Sequence, residues 1–227
     1  MRVESAASEL TGMDHDIEKA PEAPPTRRHA LRVAAGILAV GAVPLTAPRA
    51  SARSADVCTG EYDAEFEEAL AEADAQVPAE ETRGLPPELG PGRYTLPLRR
   101  RFRVSARYGI RGDWLAGHHT GIDLAVPRGT PVYAVGAGVV VLARWSGAYG
   151  NAVTVRMRDG HYAVFAHLSR VQVQQGTRLR TGARIGSSGA TGRATGPHLH
   201  LEIRARRGYG SDIDPVRYLA RRGARLL

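Results

Sequence analysis

The chain has 227 residues and a mass of 24.3 kDa, room for one domain with appendages. Its 43% apolar and 6% aromatic content is ordinary for a globular protein, and its single cysteine, Cys58, excludes an internal disulfide framework and any cysteine-rich metal site. The formal charge of +8 is uneven: residues 1–52 carry 6 basic and 6 acidic side chains, 53–92 carry 2 and 11 (net −9), and 93–227 carry 23 and 6 (net +17). Lys19 is the only lysine, so the basic block is built from arginine. Such a block attracts polyanions, either nucleic acid or an envelope rich in carboxylate and phosphate, and charge alone does not choose.

From the N-terminus, Thr26-Arg27-Arg28-His29-Ala30-Leu31-Arg32 precedes an apolar run over 33–43, and Ala50-Ser51-Ala52 follows. Charged, apolar and small-residue stretches in that order form an export signal. The paired arginines resemble a twin-arginine signal, with Ala30 where a bulkier residue is commoner. The apolar run is about 11 residues, against the roughly 20 that span a bilayer. Cleavage is therefore expected, with no membrane span remaining. Met13 is an alternative start. Ala55-Asp56-Val57 lacks the small-residue pattern of a lipoprotein box, so Cys58 is not read as a lipid anchor. The expected division is an export signal over 1–52, an acidic helix and linker over 53–92, and a folded domain over 93–227.

Within 59–77, Tyr62, Phe66, Leu70, Ala73 and Val77 recur at helical spacing among acidic residues, which predicts an acidic helix. Residues 78–92 are rich in proline and glycine and read as a linker. The expectation for 53–92 is a solvated spacer. The alternative is a regulatory segment folded back over the basic domain, with acidic side chains such as Glu67 or Glu68 against its surface.

From residue 93 the texture changes. Residues 132–135, 138–145, 151–158 and 161–168 are short runs rich in Val, Tyr and Thr, divided by glycine-containing turns, and Asp159-Gly160 is a hairpin signal. Six glycines between 176 and 196 mark tight turns, 199–203 is a last strand, and Asp214-Pro215 opens a short helix over 216–222. The predicted class is all-β, an antiparallel domain of short strands and Gly-rich turns preceded by the acidic helix and linker.

Six of the eight histidines fall between 118 and 200. Alternate residues of an extended chain share a face, so His119 can join Asp123 in His119-Thr120-Gly121-Ile122-Asp123, and His198 can join His200 in His198-Leu199-His200. Imidazole and carboxylate suit zinc, whose catalytic sites commonly use three protein ligands. Either pattern alone is weak; two in one β domain, with a further histidine in a strand, are not.

These residues, with Phe165-Ala166-His167-Leu168 and Gly196-Pro197-His198-Leu199-His200, resemble the H-x-G-x-D, Y-A-H-L and G-P-H-L-H blocks of lysostaphin-like (LytM-type) zinc peptidoglycan endopeptidases. Gly129-Thr130-Pro131-Val132, Gly138-Val139-Val140, Tyr149-Gly150-Asn151 and Gly189-Ala190-Thr191-Gly192 extend the resemblance over about residues 95–221. Phe165 departs from the usual tyrosine. The resemblance implies a lysostaphin-type peptidase domain holding one Zn2+ through His119, Asp123 and His200, with His167 and His198 as catalytic histidines. It implies a peptidoglycan peptide substrate, in stem cross-links or interpeptide bridges. An exported or wall-associated monomer is expected, its basic surface meeting anionic wall polymers. No H-E-x-x-H is present, so a helical glutamate base is unavailable and the histidine pair fills that role. His118 is expected on the opposite face from His119, and His161 in solvent. Glu202 is expected either behind His200 or in a surface salt bridge. The competing functions are a non-catalytic wall-binding domain and a nucleic-acid binder; the latter lacks interleaved aromatics and conflicts with export.

Overall fold

A computed structural model describes residues 64–78, 80–83 and 94–227, all within one compact unit. The export signal, Cys58, Tyr62 and most of the Pro-rich stretch lie outside the described residues. The elements in chain order are α1 (Ala64–Ala75), α2 (Glu80–Arg83), β1 (Arg103–Ala106), β2 (Ile122–Ala125), β3 (Pro131–Tyr133), β4 (Gly138–Trp145), β5 (Asn151–Met157), β6 (Tyr162–Leu168), β7 (Arg170–Val171), β8 (Arg178–Leu179), β9 (Arg184–Ser187), β10 (His198–Arg204), β11 (Asp212–Ile213) and α3 (Pro215–Ala220). A 3-10 turn, Gly147–Tyr149, joins β4 to β5. No described helix is long and apolar enough to cross a membrane.

The main sheet is antiparallel, in the order β1-β2-β10-β6-β5-β4-β8, with β11 paired to β10; β3, β9 and β7 form a second, smaller sheet. The fold class is the predicted one. Period-two alternation sends successive side chains to opposite faces. On one face Leu199, Leu201 and Ile203 join Ile122, Leu124, Phe165, Val153 and Val155 in the larger core. The other face of β10 carries His198, His200, Glu202 and Arg204, all buried. The chemistry and the core thus occupy opposite sides of the same strands.

Helix α1 covers part of the histidine-bearing face. Its Phe66, Ala69 and Leu70, with Val77 beyond its end, share a second core with Val139, Val141, Leu142, Tyr149, Ala152, Val164 and Ala166. Asp74 binds Arg156 Nη1 at 2.9 Å and the Tyr162 hydroxyl at 2.8 Å, while Arg156 Nη2 donates to the Val77 carbonyl at 2.8 Å. The solvated spacer expected for this stretch is therefore corrected for α1. The apolar stripe that predicts the helix is also what the sheet buries, and burial of a side chain such as Phe66 contributes on the order of 2 kcal/mol. At the other end, Asp214 caps α3 by accepting from the Val216 and Arg217 N–H groups, with Pro215 at the first helical position.

Candidate metal and hydrolytic site

Pairing of β2 with β10 builds the site. His200 and Asp123 are register partners, so their side chains emerge side by side on one face. His119 enters from the loop before β2, where its N–H donates to the Ile110 carbonyl at 2.8 Å. The His200 Nδ1–Asp123 Oδ1 separation is 2.8 Å, His119 Nε2–His200 Nδ1 is 3.2 Å and His119 Nε2–Asp123 Oδ1 is 3.3 Å. All three residues are buried. Gly121 between them answers a steric demand: a Cβ there would lie 2.7 Å from the His200 ring.

His119 Nδ1 lies 3.0 Å from the Arg107 carbonyl, which only accepts, so Nδ1 carries the proton and the neutral ring turns its Nε2 lone pair toward Asp123 and His200. Asp123 Oδ2 and His200 Nε2 are buried without hydrogen-bond partners. Burial would raise the Asp123 pKa, but in the metal-free protein protonated His119 and His200 donate to it, outweigh that effect and hold the carboxyl well below its usual range. Burial likewise disfavours a charged His119, and Asp123 more than offsets it, raising that pKa. Electron-rich atoms converging at this spacing fit a cation. Ligands at zinc distances of about 2.0–2.1 Å stand about 3.4 Å apart in a tetrahedral site.

His198 and His167 stand beside this triad, their rings 4.8 Å apart. His198 Nδ1 donates to the Gly196 carbonyl at 2.8 Å, and its Nε2 is 3.9 Å from Asp123 Oδ1. His167 Nδ1 donates to the Thr191 carbonyl at 2.8 Å. His167 is the only non-glycine among the described residues with positive φ, at 59°. It sits where the β5–β6 register slips between Asn151 and Val153, a bulge that re-aims the side chain out of the strand's alternation. The Thr191 carbonyl is held by close backbone contact: a Cβ on Gly150 or Gly192 would collide with the opposing loop, and Thr191 Oγ1 donates to the Leu168 carbonyl at 2.8 Å. Burial, followed by the nearby His200 and His198, lowers the His167 pKa to about 3. Burial also lowers that of His198, partly opposed by Asp123.

The structure thus brings His119, Asp123, His200, His167 and His198 together and leaves two histidines out. His118 turns away, its Nδ1 and Nε2 each 2.9 Å from an acceptor, the Ala116 carbonyl and Asp212 respectively. His161 lies 3.2 Å from Asp159 and against the Tyr218 ring, half-buried rather than in solvent. Glu202 is fully buried, which removes the surface salt bridge; its Oε2 accepts from Arg204 Nε at 3.0 Å and from the Tyr149 hydroxyl at 3.4 Å. Glu67 does not reach the triad, because Arg204 Nη1 and the Tyr209 N–H occupy its two oxygens at 2.7 and 3.0 Å. Sequence reasoning assigned no role to Tyr149, Arg204 or the Thr191 carbonyl. Tyr149-Gly150-Asn151 and Gly189-Ala190-Thr191-Gly192 were signals for two of them; Arg204 had none.

Comparison with known proteins agrees with this architecture. The profile of peptidase family M23 matches residues 117–215. The DD-carboxypeptidase/endopeptidase Mpg of Neisseria meningitidis serogroup B is 48% identical over 119 residues, 50% of this chain and 26% of that protein. The peptidoglycan DD-endopeptidase ShyA of Vibrio cholerae is 47% identical over 85 residues, 37% of this chain and 20% of that protein. The chain thus aligns with about a quarter or less of these relatives' length. Among solved structures, the catalytic domain of the antimicrobial peptidase lysostaphin from Staphylococcus simulans superposes with a TM-score of 0.50 at 33% identity, over 52% of this chain and 92% of that one. The matched stretch runs from two residues before His119 to the first residue of α3, and with the likeness to the lysostaphin catalytic domain over 92% of that chain it shows that this chain carries a domain of peptidase family M23.

Proposed function

We propose that this chain is an exported zinc metalloendopeptidase that hydrolyses peptide bonds in bacterial peptidoglycan, in stem cross-links or interpeptide bridges. The observation that carries this reading is the convergence of three buried ligand atoms 2.8–3.3 Å apart beside two further imidazoles oriented by backbone carbonyls. His119 Nε2, Asp123 Oδ1 and His200 Nδ1 would hold the ion, which when bound supplies Lewis-acid activation of water and of the scissile carbonyl. The Arg107 carbonyl behind His119 fixes that ligand's tautomer, the usual role of a group outside the coordination sphere.

The remaining steps belong to the chain's own groups. With Nδ1 donating to Gly196, His198 has its basic lone pair on Nε2, and Asp123 at 3.9 Å favours the imidazolium formed when that nitrogen takes a proton. His198 therefore accepts the proton of the attacking water and returns it to the leaving amine as the C–N bond breaks and a carboxylate forms. His167, with its pKa near about 3, stays neutral and orients the reactants by accepting a hydrogen bond at Nε2. Residues 93–227 carry all the hydrolytic residues in this proposal, 1–52 form the export signal, and the chain acts as a monomer. Among the described arginines of 94–227, all but Arg156, Arg204 and Arg222 are exposed, a surface suited to anionic wall polymers.

The test is solubilisation of purified peptidoglycan by the zinc-loaded chain. Chelation should abolish it and one equivalent of zinc should restore it. Solubilisation that persists in the metal-free protein contradicts the proposal.

A further inference from the structure

Arg204 is fully buried on the histidine-bearing face, where a guanidinium is costly unless its charge and donors are met. Glu202 meets part of the demand: Arg204 Nε and Nη2 lie 3.0 and 2.9 Å from its Oε2. A second carboxylate comes from α1, outside the stretch matched to the family: Glu67 Oε1 lies 2.7 Å from Arg204 Nη1, which also donates to the Arg207 carbonyl at 3.0 Å. Arg204 Nη2 also donates to the Tyr149 hydroxyl at 3.1 Å. The Tyr149 ring stacks on Phe66 of α1 at 4.3 Å and meets the His200 ring edge-on at 6.0 Å.

A second path leaves the same carboxylate. Glu67 Oε2 accepts from the Tyr209 N–H at 3.0 Å, and the Tyr209 hydroxyl accepts from the Ala116 N–H at 3.4 Å. Ala116 belongs to the loop whose Trp114 ring lies 5.4 Å from that of His119. One side chain of α1 thus ties down the groups behind two of the three candidate ligands.

We propose that Glu67 is a positioning residue of the hydrolytic site, acting through Arg204 and Tyr149 on His200 and through Tyr209 on the loop behind His119. Helix α1 is then an integral part of the hydrolytic unit rather than a removable appendage. This rests on the zinc-peptidase function above. Without Glu67, Arg204 loses an anionic partner and the Tyr209 loop its tie to the helix, so the ligands lose rigid backing. Their geometry loosens even where the fold survives.

The test uses the full chain and three variants: Glu67→Ala, Glu67→Gln, and Asp74→Asn, which loosens the far end of α1 where Asp74 binds Arg156 and Tyr162. Zinc affinity is read by competition with a chelator, thermal unfolding on the metal-free protein, and kcat and KM on peptidoglycan. Glu67→Ala should weaken zinc binding roughly tenfold, the lower end of the range for removing a group behind a ligand, and reduce kcat more than it raises KM. Glu67→Gln should fall between it and wild type, and it decides the matter if the alanine variant does not fold. Asp74→Asn should lower the unfolding midpoint yet bind zinc as wild type does. Wild-type zinc affinity and kcat in a folded Glu67→Gln variant overturn the proposal, as does a loss of affinity in Asp74→Asn equal to that in the Glu67 variants. A wild-type chain that binds no zinc or cleaves nothing would instead contradict the function itself.

Discussion

At His119, His167 and His198 a backbone carbonyl decides which ring nitrogen carries the proton, so each imidazole's role is set by main chain beside it. The two proposed classes of histidine should therefore separate on mutation. His200→Ala removes a ligand and should lose both zinc and hydrolysis. His198→Ala should keep zinc while hydrolysis falls about 10²–10⁴-fold, the usual span for a lost acid–base group, and His167→Ala should also keep zinc while hydrolysis falls through lost orientation of the reactants. Metal analysis beside an activity assay checks this, and loss of metal from either of the latter two variants to the extent seen in His200→Ala would contradict the division. The five residues that converge were already picked out in the sequence by the resemblance of three short motifs to a known family, and their roles remain part of the proposal. The pairing of Glu67 with Arg204 was not legible there. Their contact spans 137 positions, and Arg204 is one buried arginine among described arginines that are otherwise nearly all exposed.

Among the elements, the strands with the clearest alternation were the most legible: residues 138–145 match β4, and 151–158 and 161–168 differ from β5 and β6 by one residue at an end. β1 and β8 gave no usable pattern, since two to four residues held by pairing partners carry little periodicity of their own. The α1 stripe predicted a helix but not its docking, because an acidic surface beside a short apolar stripe describes a solvated helix equally well. The C-terminal element α3 is held to the β5–β6 hairpin by Asp159, which accepts from the Tyr218 hydroxyl at 2.8 Å and from Arg222 Nη2 at 2.6 Å. Burial would raise the Asp159 pKa, but these donors and Tyr94 outweigh it and lower it. The stability this contributes is present above the ordinary carboxylate pKa of about 4 and is lost as pH falls through the lower folded value. Asp159→Asn should therefore unfold at a lower temperature than wild type near neutral pH, with the gap narrowing below about pH 4. A gap that stays constant to low pH would show that the carboxylate's charge is irrelevant there.

For the whole molecule, charge and chemistry are arranged on different scales. The acidic segment places one carboxylate, Glu67, in a buried network, while most arginines of the β domain face solvent. Binding of the full chain to insoluble wall material should weaken as salt rises, because exposed charges are screened over about 8 Å at physiological ionic strength. Sedimentation with the wall across a salt series measures this, and binding that is flat with salt would assign recognition to shape or to the stem peptide instead.

Mass spectrometry of purified peptidoglycan, digested by the zinc-loaded chain and by His198→Ala in parallel, tests most directly the claim that the site hydrolyses peptide bonds. The account predicts new amino and carboxyl termini on stem or bridge residues with wild type, about a hundredth as many or fewer with the variant, and an intact glycan backbone in both. New reducing sugar ends without new peptide termini, or equal peptide cleavage by the variant, would contradict it.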